Sequence, residues 1–350
     1  MCGDALSSSV MEPHTCWPSV LLLLLLHLQG SSTSDYNMHT LEAPRDLQVT
    51  DPGYLGLLQV QWRPPALKHC VPPCRVHFYL TYYNTFHNRW SVIRTPFTSH
   101  RVQFDLSKEM KVRVHTLLDG SCTNGTEVMS TRYAELVRTP EPGSPVVQGL
   151  GCVFHRREFT ECTWKHTDHN SPASQYRLYY WYGKLGATRE CPQYIIHNGA
   201  HRGCNFTWNQ LPDFSHISIC VNSSAPSKAS TPAYLYLKIQ DHVKPAATEE
   251  LSLKVVTDPE PQLQLTWGNP VGRIPGHCLQ WEVEHSPGGP NGRQPTEKWT
   301  VTMETSLRKP LSYDTQRACF RVRSKLVDYC AERGLWSDWS HWKCHKDNDA

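Results

Sequence analysis

Three times along the chain an alternating apolar strand ends in tryptophan and runs toward a turn. The copies are Leu58-Gln-Val60-Gln-Trp62 before Arg63-Pro64-Pro65, Thr160-Glu-Cys162-Thr-Trp164, and Leu263-Gln-Leu265-Thr-Trp267 before Gly268-Asn269-Pro270. In each, every second residue is apolar, the period of a half-buried strand, and the Trp closes the inward-facing set. The Trp residues are 102 and 103 positions apart, a repeat of whole domains and too long for solenoid units. A second alternating run follows each Trp strand: Val76, Phe78, Leu80, Tyr82; then Tyr176, Leu178, Tyr180; then Leu279, Trp281, Val283. A later strand completes each set, around Val112 to Val114, Ile217 to Ile219 and Phe320 to Val322. No segment keeps a 3.6-residue period. The expectation is an all-β chain of three tandem Greek-key sandwiches.

Pro-rich joints, Thr139-Pro-Glu-Pro-Gly-Ser-Pro145 and Asp241-His-Val-Lys-Pro245, should act as short, stiff hinges. They set the expected modules at residues 43–139, 146–241 and 245–344. Residues 1–34 read as a secretory leader: Val20 to Leu28 is apolar but too short to span a bilayer, and Gly30, Ser31 and Ser32 offer a cleavage site. Either Met1 or Met11 can be the initiator. After the leader no apolar run of 18 residues occurs, so the expectation is a secreted or shed product, with a longer anchored form as the alternative. Fourteen cysteines, twelve of them beyond the leader, agree with an oxidising compartment. So do three sequons, at Asn124, Asn205 and Asn222.

Composition narrows the function. The formal net charge is +3 with dispersed basic residues, so no nucleic-acid footprint is present. Histidine pairs such as His166 with His169, or His197 with His201, fall in expected loops without a third ligand nearby, and no metal or cofactor is expected. No nucleophile elbow, phosphate-cradling loop or metalloprotease helix occurs, which argues against an enzyme.

Two motifs carry a family resemblance. Cys152 and Cys162 are separated by nine residues and followed by Trp164, with a second pair, Cys191 and Cys204, downstream. The other motif is Trp336-Ser337-Asp338-Trp339-Ser340. Its spacing puts Trp336, Trp339 and Trp342 on one side of a three-residue-per-turn strand. Arg321, Arg323 and Lys325 alternate on the preceding strand and can interleave with the indoles as a cation-π ladder. The chain resembles the class I cytokine receptor family, which carries this four-cysteine module and this W-S-x-W-S box. Asp51-Pro-Gly-Tyr-Leu-Gly56, Tyr179-Tyr-Trp-Tyr182, Ile219-Cys-Val-Asn222 and Phe320 to Lys325 spread the likeness over all three modules.

The resemblance implies fibronectin type III-like sandwiches and a four-helix cytokine as partner, interleukin-13 first, captured as a decoy without signalling. An alpha-type subunit for interleukin-4 or another four-helix cytokine is the alternative within the family, and a fibronectin-type adhesion protein the alternative outside it. The ligand is expected at the elbow between the second and third modules. There the candidates are Gly276 to Gln280, Asp328, Tyr329, Glu332 and Arg333, with Ser215 to Ser218 from the second module. Tyr329 leads, being beside Cys330; the competing role is packing on its own disulfide. Ser218 stands where a related chain of the family has an aromatic residue, and Gln280 where it has an acid. Trp90-Ser-Val92-Ile93-Arg94 is expected to add the cytokine to a sheet edge, unless Arg94 and Pro96 guard that edge. The implied disulfides are Cys74 with Cys122, Cys152 with Cys162, Cys191 with Cys204, Cys278 with Cys319, and Cys330 with Cys344. Cys70 and Cys220 remain, as free thiols, as exchange partners of their neighbours, or as a dimer bridge.

Overall fold

The computed structural model describes residues 41–66, 74–166, 176–223, 230–257, 259–287, 289, 295–310 and 318–345. The leader, Cys70 and His169 lie outside them. Regular structure among the described residues is strand, broken by short 3-10 turns.

The first sandwich pairs β1 (Arg45–Thr50), β2 (Leu57–Arg63) and β5 (Ser99–Gln103) in the order β1-β2-β5. Its second sheet runs β4 (Arg89–Thr95), β3 (Cys74–Asn84), β6 (Met110–Gly120), β7 (Val128–Met129), with β8 (Ala134–Arg138) also on β6. Leu58, Val60 and Trp62 from one sheet meet Phe78, Leu80, Val112 and Val114 from the other. Trp62 packs edge-on against Phe78, with centroids 5.5 Å apart.

The second sandwich opposes β14 (Tyr194–His197), β15 (Ala200–Thr207), β11 (Phe159–His166), β10 (Val147–His155) and β19 (Val243–Lys244) to a four-stranded sheet. That sheet is β13 (Arg189–Glu190), β12 (Tyr176–Tyr182), β16 (His216–Ser223) and β18 (Ala233–Lys238). The third places β20 (Leu251–Val256), β21 (Gln262–Trp267) and β24 (Ser306–Pro310) over β23 (Glu297–Thr302), β22 (Leu279–Pro287), β25 (Ala318–Leu326) and β26 (Lys343–Cys344).

The Pro-rich joints are not free-standing hinges. Ser144–Pro145, the short strand β9, pairs in parallel with β17 (Ser230–Thr231). Val243 and Lys244 pair in parallel with Phe154 and His155. Each joint therefore has two residues, Ser144 and Pro145 or Val243 and Lys244, paired along the second sandwich. Leu326 and Ala331 of the third sandwich belong to the same buried cluster as the second, and Tyr54, Leu55 and Leu57 of the first pack against it.

Of the histidines expected in loops, His166, His197 and His201 are on strands. His166 Nε2 meets the His201 carbonyl at 2.9 Å, and His201 Nδ1 meets the Tyr176 carbonyl at 2.9 Å while its ring stacks on Tyr194. Backbone contacts of this kind orient the rings as structural pieces.

Candidate functional site

Alternation along β25 sends Phe320, Val322 and Ser324 inward and Arg321, Arg323 and Lys325 outward. The outward cations meet the tryptophans of the box. Arg321 lies over Trp342 at 4.5 Å and Trp339 at 4.7 Å, and Arg323 over Trp339 at 4.5 Å and Trp336 at 4.6 Å. Lys325 closes the ladder 5.4 Å from Trp336. Glu284 and Glu282 on β22 pair with Arg321 and Arg323 from the far side. The two box serines fasten the strand: Ser337 and Ser340 donate backbone N–H groups to Ser324 and Val322 at 2.7 and 2.8 Å. Their hydroxyls accept the return N–H of the same two residues at 2.9 Å. Each cation-π contact contributes about 0.5–1 kcal/mol where exposed. The box is thus a brace on one flank of the third sandwich.

Five bridges form among the described residues: Cys74–Cys122, Cys152–Cys162, Cys191–Cys204, Cys278–Cys330 and Cys319–Cys344. The last two correct the implied pairs Cys278–Cys319 and Cys330–Cys344. Register is the reason. Cys319 lies opposite Ser286, whereas Cys278 precedes Leu279 at the other end of β22, eight residues and roughly 25 Å of strand away. Leu279 pairs with Leu326, which brings Cys278 and Cys330 to the same end, and Cys319 faces Cys344 directly. Cys220 is free and buried, its pKa pushed up to about 12 by that burial, so exchange and dimer bridging fall away for it.

The corrected bridge builds the elbow. Cys278 closes the 3-10 turn Gly276–Cys278, and Val327 donates to its carbonyl at 2.9 Å. On the loop so held, Asp328, Tyr329, Glu332 and Arg333 are exposed. Tyr329 is 67% exposed, and its hydroxyl donates to the His277 carbonyl. The ring is therefore presented by the disulfide and not buried against it. Gln280 lies within β22, paired with Thr302 and Lys325 and half-buried. It is a strand residue and not part of the preceding loop, because Leu279 is already needed in the core.

From the second sandwich Ser218 does not reach the elbow. It sits mid-strand in β16 at 2% exposure, between Trp181 and Tyr236 in register. Its register neighbours Trp181 and Tyr236 carry Tyr54 and Phe86 of the first sandwich, so that face of the sheet is covered, a consequence no single-strand pattern reveals. The side chains that do reach the elbow include two that sequence reasoning missed. Phe214, 62% exposed with φ 59°, projects from the turn before β16, and Trp208 lies under the Arg273 guanidinium at 4.2 Å. Asp213, next to Phe214, pairs with Arg157, and Arg273 N–H donates to the Arg156 carbonyl at 2.9 Å. A signal was present in the polar-flanked aromatic of Asp213-Phe214-Ser215.

Further contacts lock the joint: Glu332 N–H to Asp241 at 3.0 Å, Leu335 N–H to Val243 at 3.1 Å, and Lys244 Nζ to Asp338 at 2.9 Å. Burial lowers the pKa of His242 in this seam, against the pull of Asp241.

In the first sandwich β4 pairs with β3 alone among the described residues, leaving its other edge unpaired. Val92 is 55% exposed, while Ile93 turns toward the core and offers only backbone to that edge. Arg94 is drawn across the sheet to Asp119 at 3.1 Å and Glu127 at 2.7 Å, and Pro96 lies beyond the strand, so neither caps the edge. Trp90 packs against Tyr83 and under Arg113, which also covers Tyr133.

Of the sequon residues, Asn124 stands exposed in a left-handed turn with φ 52°. Asn205 and Asn222 are half-buried on β15 and β16.

A family described as "Interleukin-6 receptor alpha chain, binding" matches residues 149–242. Interleukin-13 receptor subunit alpha-2 of Canis lupus familiaris is 34% identical over 332 residues, 93% of this chain and 82% of that protein. The Homo sapiens protein of the same name is 33% identical over 324 residues, 91% of this chain and 83% of its own length. Interleukin-13 receptor subunit alpha-1 of Homo sapiens is 25% identical over 301 residues, 80% of this chain and 66% of that protein.

Proposed function

Because the chain belongs to the interleukin-13 receptor subunit alpha-2 family, we propose that it captures interleukin-13 in the extracellular space and holds it as a decoy without passing on a signal. The observation that carries this reading is Tyr329, exposed on a loop pinned by Cys278–Cys330 at a rigid joint between two sandwiches. A large ring held out from a braced loop, with Asp328, Glu332 and Arg333 around it, suits the anchor of a protein interface. Phe214 supports a second apolar contact from the neighbouring module.

Strand β4 supplies a further surface in this reading. Its unpaired edge offers backbone donors and acceptors to an extended segment of the ligand, with Val92 flanking the pairing. Three modules at 43–139, 146–241 and 245–344, a removed leader at 1–34, and glycans on the sequons complete the proposal. Five disulfides suit an exported chain.

Purified protein added to interleukin-13-responsive cells is expected to lower their response; an unchanged or enhanced response sinks the decoy reading. Titration against a panel of four-helix cytokines tests the partner, and preference for interleukin-4 would reassign it. Val92→Pro is expected to weaken interleukin-13 binding by surface plasmon resonance, whereas unchanged affinity removes the edge from the interface.

A further inference from the structure

Two stretches that mark the family likeness have no part in the surfaces above: Asp51 to Gly56 and Tyr179 to Tyr182. The fold brings them together. Tyr54 stacks on Trp181 with ring centroids 4.8 Å apart and planes 18° apart, and the Arg101 guanidinium lies over the Tyr54 ring at 5.7 Å. The loop carrying Tyr54 is shaped for the purpose. Asp51 accepts the Gly53 N–H at 2.7 Å, Gly53 and Gly56 take positive φ, and a Cβ on Gly56 would meet the Phe104 carbonyl at 2.4 Å. On the other side Trp181 is fixed by its indole N–H donating to the Leu185 carbonyl at 3.1 Å. Thr188 adds a hydroxyl bond to the Gly53 carbonyl.

A second contact lies beside the first. Phe86 packs on Tyr236 at 4.7 Å, and Tyr236 is itself stacked on His216. Phe86 belongs to the turn between β3 and β4, ordered by Asn84, whose side chain accepts the Phe86 N–H at 3.0 Å. Strand β4 begins three residues later, at Arg89. The turn that launches the open edge is therefore clamped to the second sandwich, which in turn is clamped to the elbow through Arg156, Arg273 and Ile274.

We infer that Tyr54 and Phe86 are positioning residues, which hold the open edge of β4 at a fixed distance from the Tyr329 elbow so that one ligand engages both surfaces at once. The inference rests on the proposed function and deepens it. Two weak surfaces on a rigid frame act intramolecularly once either is engaged, whereas a loose joint dilutes the second. Neither residue needs to touch the ligand.

The test uses the full chain and interleukin-13. Tyr54→Ala with Phe86→Ala is expected to lower affinity about ten- to hundredfold and to broaden energy transfer between dyes on the first and third sandwiches. Tyr54→Phe, which keeps the stack, is expected to leave both as in the parent. Val92→Pro is expected to cost much in the parent and little more in the loosened variant, because the edge no longer acts in concert. Full affinity in the loosened variant, with energy transfer broadened, overturns the positioning role while leaving the edge reading intact. No loss from Val92→Pro in the parent overturns the edge reading itself, and the positioning role with it. Should the double variant fail to fold, Phe86→Ser alone, at a half-buried turn position, carries the same comparison.

Discussion

Tyr329 is the residue on which recognition is expected to turn. Replacing it with alanine removes an exposed ring and leaves the core untouched, so thermal stability should hold while affinity for interleukin-13 falls about thirtyfold or more. Calorimetry and surface plasmon resonance separate the two effects. The opposite behaviour is expected of Cys220. With a pKa near 12, its buried thiol should resist an alkylating reagent at pH 8 in the native protein and react once the chain is denatured. Rapid native labelling, read by mass spectrometry, would refute that. Residue-level expectations read from sequence succeed where chemistry is local, as at the alternating Arg321 and Arg323. They fail where a distant segment decides exposure, as at Ser218 under the first sandwich and at Phe214, which stands out only because its turn is folded around Asp213 and Arg157.

Strands and their bracing set stability at the next level. Trp339 touches Arg321 and Arg323 together, so Trp339→Ala is expected to lower the stability of the third sandwich by about 2–3 kcal/mol in denaturant titration. Arg323→Lys, which keeps the charge but not the planar stack, should cost about 1 kcal/mol. Strand β22 also carries a pH response. His285 is 3% exposed by its side chain, accepts a bond from the Lys309 ammonium at 2.9 Å, faces the Glu297 carboxylate at 3.5 Å, and stacks on Trp299 and Phe320. Burial first, then Lys309, lowers its pKa below the ordinary 6.5 despite Glu297. The unfolded chain then takes up this proton before the folded one does. Stability is complete above about pH 6.5 and falls as pH drops from there toward the folded value. The unfolding midpoint should therefore be lower at pH 5 than at pH 7, and His285→Phe should flatten that dependence. The strands themselves were legible because period-2 alternation survives in each Trp strand. The bridge pairing was not, because it depends on which ends of β22 and β25 meet, a matter of register that spacing alone leaves open.

At the scale of the whole molecule, three sandwiches could be counted from the Trp repeat, but the seams between them could not. The joints looked like hinges because proline-rich sequence is stiff and exposed on average; here they are zipped onto β10 and β17. Gly272 shows how close the second seam is. Its φ is 125°, and a Cβ there would come within 2.8 Å of the Arg156 carbonyl. Gly272→Ala is expected to open the elbow, visible as a larger radius of gyration in scattering, and to weaken cytokine binding with it. The same zippering has a consequence for handling the protein. Short parallel bridges such as Val243–Lys244 close off a border of the middle sandwich, yet residues 89–95 keep a long border bare. A bare border is a template for any extended chain, including another molecule of the same kind. Storage without cytokine should thus favour slow clumping that starts at Trp90 to Arg94, and saturating cytokine should arrest it.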